Sequence, residues 1–235
     1  MSKSTHVPPS WVVEQLILKS MLQIPQTDQI FKYLDHVIGL DISFVKGTDR
    51  AVCTGVIVSY PGWQLVHSET IEVIITEPYI AGFLAFREIE HYLAVYKLLK
   101  DAHPDKCNEL IITDGNGILH PNQFGLASHL GVLLKVPTIG CAKNLHHIDG
   151  LCKKTLRNEM DNTGTDILAI TGNSGKEYGY AVRGKGNVNP VFLSIGHMVS
   201  LATVRTFAEE GFIVREPEAT RLADRISREW IRSHP

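Results

Sequence analysis

The order of the predicted elements indicates an α/β protein with a mixed sheet flanked by helices. Three strand-like segments come first, separated by turns short enough for an antiparallel meander. Helices and strands then alternate, which is typical of parallel strands with helices covering the sheet. The chain has 235 residues, of which 44% are hydrophobic and 20% charged, so it can bury a sizeable core. We therefore predict one domain over residues 1–235.

The first predicted element is a helix over residues 9–24. Its start is indicated by Pro9 and Ser10. The apolar residues that follow recur near helical spacing, and they are Trp11, Val12, Leu16, Ile17 and Met21. This pattern predicts an amphipathic helix.

The predicted core of the domain covers about residues 35–142. Its strands are expected at 37–44, 51–60, 65–75, 110–114 and 137–142, and its helices at 81–100 and 123–134. In chain order these elements run β-β-β-α-β-α-β, which is the order of the ribonuclease H-like fold. The sequence therefore predicts three antiparallel strands followed by parallel strands.

The rest of the chain, residues 143–235, is expected to elaborate this core. Residues 143–197 are rich in Gly, Asn and Lys and contain short strand candidates at 167–170, 177–183 and 191–195. Two helices are predicted near 199–210 and 217–232, and Pro217 suits the first turn of the second one.

The composition excludes several classes of protein. The four cysteines show no C-x-x-C spacing, which favours free thiols in a reducing compartment. The N-terminal residues lack the apolar stretch of a signal peptide, and no run approaches the length of a membrane span. The net charge of −2 and the pI near 6.6 argue against a basic nucleic-acid coat. They remain compatible with a nuclease whose acidic site offsets basic residues elsewhere.

Two carboxylates lie inside or at the end of predicted strands. Asp41 interrupts an otherwise apolar strand, and Asp114 closes another strand just before Gly115-Asn116-Gly117. Burying an ionised carboxylate costs several kcal/mol unless a cation or hydrogen bonds compensate it. A divalent metal is one such cation. Backbone N–H groups or an arginine are the alternative. If the two strands pair in parallel, Asp41 and Asp114 become neighbours.

Three further side chains allow a functional and an ordinary interpretation. Glu88 borders the apolar face of its helix, where a solvated or Arg-paired glutamate is the common case. Tyr79 follows a proline and could either stack on a base or pack over the helix start. Asp224 could reach a cleft, or pair with Arg221 or Arg228 on its own helix.

Together, six segments resemble the endonuclease V family of inosine-specific nucleases. They occur in family order and span about residues 35–230. They are Gly39 to Phe44, Pro78 to Glu88, Asp114-Gly115-Asn116-Gly117 with His120, Gly140 to Lys143, Ser194 to His197, and Arg221 to Asp224.

The resemblance implies a Mg²⁺-dependent endonuclease with a ribonuclease H-like fold, in which Mn²⁺ can substitute. It implies cleavage at the second phosphodiester 3′ of inosine, leaving 3′-hydroxyl and 5′-phosphate ends. The metal ligands and catalytic residues would be Asp41, Glu88, Asp114 and Asp224, with Lys143 near the scissile phosphate. Tyr79 would be the wedge that replaces the displaced base. The base would enter a pocket formed by Gly82, Phe83, Leu84, Gly115, Asn116, Gly117, His120 and Gly140.

The resemblance is to the animal branch in particular, because Asp224 stands where bacterial members carry a histidine. That branch prefers inosine-containing RNA, so single-stranded RNA is the expected substrate. A deoxyinosine-specific DNA repair endonuclease, a structure-selective nuclease of the same fold and a non-cutting inosine-binding module are the alternatives. Glu90 and His91 depart from the family pattern, which commonly has a proline there. We expect a monomer, without membrane partners, in the cytoplasm and nucleus, including the nucleolus.

Overall fold

One eight-stranded sheet with helices on both faces forms the described part of the chain. The computed structural model describes residues 6–104, 109–184, 186–212 and 216–234. In chain order the elements are α1 (Pro9–Ser20), α2 (Ile30–Tyr33), β1 (His36–Phe44), β2 (Arg50–Ser59), β3 (Leu65–Ile74), α3 (Ala85–Ala102), β4 (Glu109–Asp114), α4 (Leu126–Leu134), β5 (Thr138–Ala142), α5 (Lys153–Thr163), β6 (Ile167–Thr171), β7 (Glu177–Val182), β8 (Val191–His197), α6 (Leu201–Glu210) and α7 (Glu218–Ser233). Within these ranges no helix has the length and apolar character that crossing a membrane requires.

The sheet has the strand order β3-β2-β1-β4-β5-β8-β7-β6. The first three strands pair antiparallel, whereas β1, β4 and β5 pair in parallel. The predicted mixed sheet of the ribonuclease H-like fold is therefore confirmed. The elaboration after residue 142 is more regular than predicted, because β8, β7 and β6 extend the same sheet with antiparallel pairing.

Alternate residues of β1 face two separate cores, as expected for the two faces of a pleated strand. Val37 belongs to the core covered by α5, α6 and α7. Its neighbours Ile38 and Leu40 belong to the core beneath α3 and α4. The two-residue period places Asp41 on the same face as Val37, which is the face that α7 covers.

Close packing of α7 on β1 depends on Gly39. A Cβ atom at this position would lie 2.3 Å from the backbone carbonyl of Ala219, so a larger residue would push the helix away. The contact seats the first turn of α7 against the middle of β1. The rest of the helix then runs past the carboxyl end of the strand.

The N-terminal helix differs from the prediction in its length and in its buried side. It ends at Ser20 rather than at residue 24, because the backbone N–H and C=O of Gln23 pair with His197 Nδ1 and Met198 N–H. The residues it buries are Gln15 and Leu18. Three residues of the predicted apolar face are mainly exposed, and they are Leu16 (62%), Ile17 (54%) and Met21 (56%).

One further helix differs from the prediction, whereas the described cysteines do not. The helix α5 was not predicted, because its sequence is almost wholly polar. Cys53 and Cys141 are buried free thiols and Cys152 is a half-buried one, as expected. Cys107 lies outside the described residues.

Candidate active site

Asp41 and Asp114 lie side by side toward the carboxyl ends of the adjacent parallel strands β1 and β4. The register of β1 and β4 pairs Leu40 with Thr113, so the next residue on each strand is an aspartate. The predicted proximity of the two aspartates depended on parallel pairing of these strands, and the strands do pair in parallel. Each of these carboxylates raises the pKa of nearby acids, and Asp114 acts on Asp41 in this way.

Asp41 is a buried acid, with only 5% of its surface exposed. Burial raises its pKa to about 7, and the charges of Asp114 and Asp224 act in the same direction. The hydroxyl groups of Ser43 and Ser227 donate long hydrogen bonds of 3.4 and 3.5 Å to its Oδ2. These contacts are weak, and the positive charge of Lys143 is the other influence that lowers the pKa of Asp41.

Glu88 lies in the first turn of α3 and is also 5% exposed. Burial raises the pKa of this carboxyl to about 8. Arg87 opposes the rise, whereas Asp114 and Asp41 add to it. The buried position excludes the solvated glutamate that its helical context would otherwise favour. Three acids from β1, α3 and β4 thus influence one another electrostatically.

Lys143 provides a positive charge beside these acids, directly after β5. Its Nζ lies 3.3 Å from Asp114 Oδ2 and 3.5 Å from Glu216 Oε2. Burial favours the neutral amine, but the two carboxylates outweigh it and raise the pKa of Lys143 above its ordinary value. Glu216 was not predicted, because nothing in its sequence context distinguishes it from a surface glutamate before a helix.

Asp224 satisfies both of its predicted interpretations. Its Oδ1 accepts a 2.7 Å hydrogen bond from Arg228 Nε on the same helix. Its charge also raises the pKa of Asp41 and Asp114, so it lies near both of them. Arg221, the other predicted partner, pairs instead with Glu218 through two hydrogen bonds.

An open cleft of about 460 Å³ connects these side chains. Ser227, which was also not predicted, supports its wall through a 2.7 Å contact between its Oγ and that of Ser43. Glu88 is not among the lining residues, although its carboxyl is close enough for Asp114 and Asp41 to raise its pKa. The lining consists of Asp41, Ile42, Ser43, Phe44, Asp114, Lys143, Asp224, Arg228, Ile231 and Arg232.

A second, smaller cavity of about 50 Å³ contains much of the predicted base pocket. The predicted residues that line it are Tyr79, Gly82, Leu84, Gly115, Asn116 and His120. Tyr79 is 59% exposed, so its ring is accessible for stacking. Residues that were not predicted complete the wall, and they are Gln15, Ala85, Phe124, Gly125, Leu126 and His146.

Three predicted pocket residues lie outside this lining. The ring of Phe83 packs near Trp11 and Phe86 instead, with centroid distances of 6.5 and 5.9 Å. Gly117 and Gly140 do not line the cavity, but Gly140 packs against the backbone of the lining residues Gly115 and Asn116. A Cβ atom at Gly140 would lie 2.5 Å from Gly115 O and from Gly117 N, so glycine permits the close approach of this loop to β5.

The polar side chains of this cavity are held by their neighbours. Burial and His146 lower the pKa of His120 to about 4, so its imidazole is neutral near pH 7. Its Nδ1 accepts the backbone N–H of Asn122, whose side chain donates to Gln15 Oε1. Gln15 Nε2 in turn donates to Gly82 O at 3.0 Å. Gln15 was not predicted, because only the packing of α1 shows that this side chain is buried.

Acidic side chains lie together at the point where adjacent parallel strands of this sheet end. This arrangement defines a class of protein, the nucleases of the ribonuclease H-like fold. The sequence profile of Endonuclease V matches residues 18–225. The chain belongs to the endonuclease V family.

Relatives and solved structures agree with this assignment. Mouse endonuclease V is 37% identical over 232 residues, covering 94% of this chain and 69% of the mouse protein. The human protein shows the same identity, with 82% of its length covered. A crystal structure of the human catalytic domain has a TM-score of 0.89 at 36% identity, over 97% of this chain and 98% of that one.

A structure from Ciona intestinalis is of particular interest because it contains nucleic acid. It shows endonuclease V in complex with a 23mer DNA containing an inosine followed by a ribo-adenosine. Its TM-score to this chain is 0.90 at 32% identity, and 96% of this chain and 97% of that chain are covered.

Proposed function

We propose that this protein is a divalent-metal-dependent endoribonuclease that cuts single-stranded RNA containing inosine. Cleavage falls at the second phosphodiester 3′ of the inosine and leaves 3′-hydroxyl and 5′-phosphate ends. Mg²⁺ is the proposed ion, with Mn²⁺ as a substitute. The family assignment supports nuclease activity, and the inosine-containing complex of the Ciona relative supports the substrate base.

The observation that carries the proposal is the pair of adjoining cavities. The cleft presents Asp41, Asp114 and Asp224 with Lys143, and the smaller cavity presents backbone and polar side chains beside the exposed Tyr79. Gly115 lines the small cavity and directly follows Asp114, which lines the cleft. A base held in one cavity therefore keeps its strand near the acids of the other.

The carboxylates fit a divalent ion by their chemistry. Asp41 and Glu88 are buried acids with raised pKa values, which an added cation would lower. Carboxylate oxygens are the ligands that Mg²⁺ prefers. As they stand, no three His, Cys, Asp or Glu side chains in the described ranges form a complete metal-binding group. The fit therefore rests on donor type and burial. Asp41, Asp114, Glu88 and Asp224 would hold the ion.

The remaining steps can be derived from the side chains of the chain itself. Lys143, whose charge is secured by Asp114 and Glu216, would contact the phosphate next to the acids. Tyr79 would stack in the gap left by the displaced base. When bound, the divalent ion would activate the attacking water and stabilise the charge on the phosphate and the leaving oxygen. Turning out a base costs less in a single strand than in a duplex, which favours single-stranded substrates.

A cleavage assay on four matched oligonucleotides tests the proposal. The set contains one sequence as RNA and as DNA, each with inosine or adenosine at a single position. We expect Mg²⁺-dependent cutting of the inosine RNA, inhibition by EDTA and little cutting of either adenosine strand. Product mapping locates the broken bond. Equal cutting of inosine and adenosine strands would refute the proposal.

A second candidate function is deoxyinosine-specific cleavage of DNA. The DNA complex of the Ciona relative favours it, although the inosine there is followed by a ribonucleotide. The same assay distinguishes the candidates, because a 2′-hydroxyl is the feature by which a protein separates RNA from DNA. Faster cutting of the all-deoxy inosine strand than of the RNA would support DNA repair instead.

A further inference from the structure

The first turn of α5 places two lysines where a helix favours acidic residues. Lys153 and Lys154 occupy this turn, which contains no acidic residue. The N-terminus of a helix carries a partial positive charge, so cations are unfavourable there. A contact with another part of the molecule can compensate for this cost, and Lys153 makes such a contact.

The contact joins Lys153 to the backbone of the lysine in the cleft. Its Nζ donates a 2.9 Å hydrogen bond to the carbonyl oxygen of Lys143, which lies 10 residues earlier in the chain. The ammonium group also lies 5.7 Å from the centroid of the Phe192 ring, a buried side chain on β8. Phe192 pairs with Ala142, the residue before Lys143. Lys153 therefore connects the start of α5 to the end of β5.

This hydrogen bond holds the main chain at Lys143. Lys143 directly follows the last residue of β5, and among the described residues no backbone N–H donates to its carbonyl. The side chain is held separately, because its Nζ lies 3.3 Å from Asp114 and 3.5 Å from Glu216. These two carboxylates hold only the tip of a flexible four-carbon chain. The bond from Lys153 fixes the peptide group next to the point where that chain begins.

The rest of the loop between β5 and α5 is anchored without Lys153. This loop includes His146, which lines the small cavity. Farther along, Asp149 accepts hydrogen bonds from the N–H and the hydroxyl of Ser174 and from the hydroxyl of Tyr178. These bonds attach the later part of the loop to the β6–β7 hairpin. Loss of the Lys153 bond should therefore leave His146 in place.

We propose that Lys153 is a positioning residue for the nuclease reaction, because it holds the main chain at Lys143 and thereby sets the Lys143 ammonium at the scissile phosphate. The inference rests on the proposed function, in which Lys143 contacts that phosphate. Lys153 is not among the residues that line the cleft, and its effect passes through Lys143. Misplacing a catalytic group by about 1 Å can lower a rate by roughly a hundredfold, so one hydrogen bond to the backbone is enough to matter.

The test measures single-turnover cleavage of a single-stranded RNA with one inosine, over a range of enzyme concentrations in Mg²⁺. This separates the rate at saturation from the enzyme concentration that gives half of it. Lys153→Met keeps much of the side-chain length and removes the donor. We expect its rate at saturation to fall roughly tenfold, with the half-saturating concentration and the preference for inosine over adenosine unchanged within about twofold. Lys153→Arg keeps a donor and should recover most of the lost rate.

A double-mutant cycle shows whether Lys153 acts through Lys143. If it does, the double variant Lys143→Met/Lys153→Met should be no slower than Lys143→Met alone, because the effects of residues that act as one unit do not add. Lys154→Met is the matched control. It removes the neighbouring lysine, which is exposed in the same turn of α5, and it should match the wild type in every measurement.

Two results would overturn the inference alone. In the first, the double variant is slower than Lys143→Met by the factor that Lys153→Met loses by itself, so the two lysines act independently. In the second, Lys153→Met keeps the wild-type rate at saturation but has a lower salt slope of RNA binding, which would make Lys153 a phosphate contact. Should Lys153→Met fail to fold, Lys153→Gln replaces it in the cycle, because its amide is too short to reach the Lys143 carbonyl.

Other results concern the proposed function. A wild type that cuts inosine and adenosine strands equally would overturn that function, whereas the lysine cycle would still decide the inference on either strand. A wild type that cuts neither strand, or a Lys143→Met variant as fast as the wild type, would overturn the role of Lys143 and the inference with it.

Discussion

Burial sets the chemistry of Asp41 and Glu88, because each residue is only 5% exposed and its carboxyl lies near other acids. In such surroundings an ionised carboxylate needs a cation or strong hydrogen bonds. Asp41 receives only the long contacts from Ser43 and Ser227. Each of these carboxyls is therefore favoured either in its protonated form or, when it is ionised, beside a cation, and this holds whatever the family assignment.

We expect Asp41→Asn and Asp114→Asn each to reduce cleavage of inosine RNA by roughly a hundredfold or more, a loss typical of removing one transition-state contact. Binding of the RNA should be largely retained, because the amides keep the shape of the cleft. Single-turnover cleavage and fluorescence anisotropy measure the two quantities. Asp161→Asn, which alters an exposed ion pair with Arg183, is the control. Either cleft variant keeping a tenth of wild-type cleavage would contradict the assignment.

Tyr79→Ala should weaken discrimination between inosine and adenosine by roughly tenfold, because stacking of a base on an aromatic ring contributes about 1–3 kcal/mol. The matched control is Tyr33→Ala. Tyr33 is similarly exposed, at 57%, but it precedes the start of β1, whereas the cleft lies at the end of that strand. Competition binding with the two oligonucleotides gives the ratio directly. If Tyr79→Ala left the ratio of inosine to adenosine binding unchanged, Tyr79 would have only a packing role.

Site residues could be predicted from the sequence where they lie in or next to an apolar strand. Asp41 and Asp114 stand out because charged side chains are unusual in apolar strands. Glu88 could not be assigned by its own context, since a helix border is compatible with solvent as well as with burial. Its environment is set by how α3 packs on β1 and β2, which is tertiary information. Gln15 and Glu216 were missed for the same reason.

At the scale of elements, α7 and β1 contribute equally to the lining of the cleft, and α7 supplies its arginines. It is strongly amphipathic, with Leu222, Ala223 and Ser227 buried and a series of arginines on the other side. Asp224 lies at the border between the two sides, where it reaches both Arg228 and the acids of the sheet. The helix therefore contributes an acid, Asp224, and two cations, Arg228 and Arg232, to the same cleft.

Replacing Asp224 with Asn should raise the Mg²⁺ concentration needed for half-maximal cleavage severalfold, because one charged oxygen ligand is lost. The preference for RNA over DNA should remain. A magnesium titration measures the shift. Arg228→Gln breaks the same ion pair but keeps the carboxylate, so its curve should not move to higher Mg²⁺. If Asp224 were only a surface partner of Arg228, the Asn variant would change stability by well under about 1 kcal/mol and its titration would superimpose on the wild type.

Arg232 lines the cleft and is expected to contact a phosphate of the bound strand. Arg232→Gln should therefore lower the slope of log binding constant against log salt by about one phosphate contact. Arg225 lies on the same helix, outside the cleft lining, with its Nε 3.9 Å from Glu229. Arg225→Gln should leave the slope unchanged. If the wild type and Arg232→Gln showed the same salt slope, the bound strand would not contact Arg232.

Among the elements that were predicted, α1 is the one that sequence patterns described least well. Apolar residues occur on more than one side of this helix, so periodicity alone could not tell which side packs. The structure buries the side with Gln15 and Leu18, because Gln15 hydrogen-bonds to Gly82 and Phe124. The central strands and α3 were more predictable, because β1, β2 and β4 contain nearly continuous buried runs and α3 has apolar residues at helical spacing.

At the scale of the whole molecule, the acids of the cleft link folding stability to pH. The pKa of Asp41 rises from 3.8 to about 7 on folding, and that of Glu88 from 4.5 to about 8. The folded state therefore binds protons more tightly than the unfolded state. These two groups favour folding at low pH, and their contribution to the free energy of unfolding falls as the pH rises through these windows.

In EDTA, we expect Asp41→Asn to gain stability relative to the wild type as the pH increases from 5 to 8, because the amide cannot ionise. Mg²⁺ should raise the melting temperature of the wild type more at pH 8 than at pH 5, since a ligand that binds only the folded state stabilises it by mass action. Asp41→Asn should respond little to Mg²⁺. Thermal unfolding at both pH values measures these differences, and parallel pH profiles for the two proteins would disprove the linkage.

The packing of α7 on Gly39 has a consequence for how the enzyme is made. Three of the acids leave the ribosome before α7 (Glu218–Ser233) is synthesised. They are Asp41 on β1, Glu88 on α3 and Asp114 on β4. Domains generally acquire structure from the N-terminal side during synthesis. The nascent chain thus holds three of the acids while it is still beside its own messenger RNA, but it lacks Asp224, Arg228 and Arg232. Assembly of the complete cleft therefore has to wait until α7 has been synthesised.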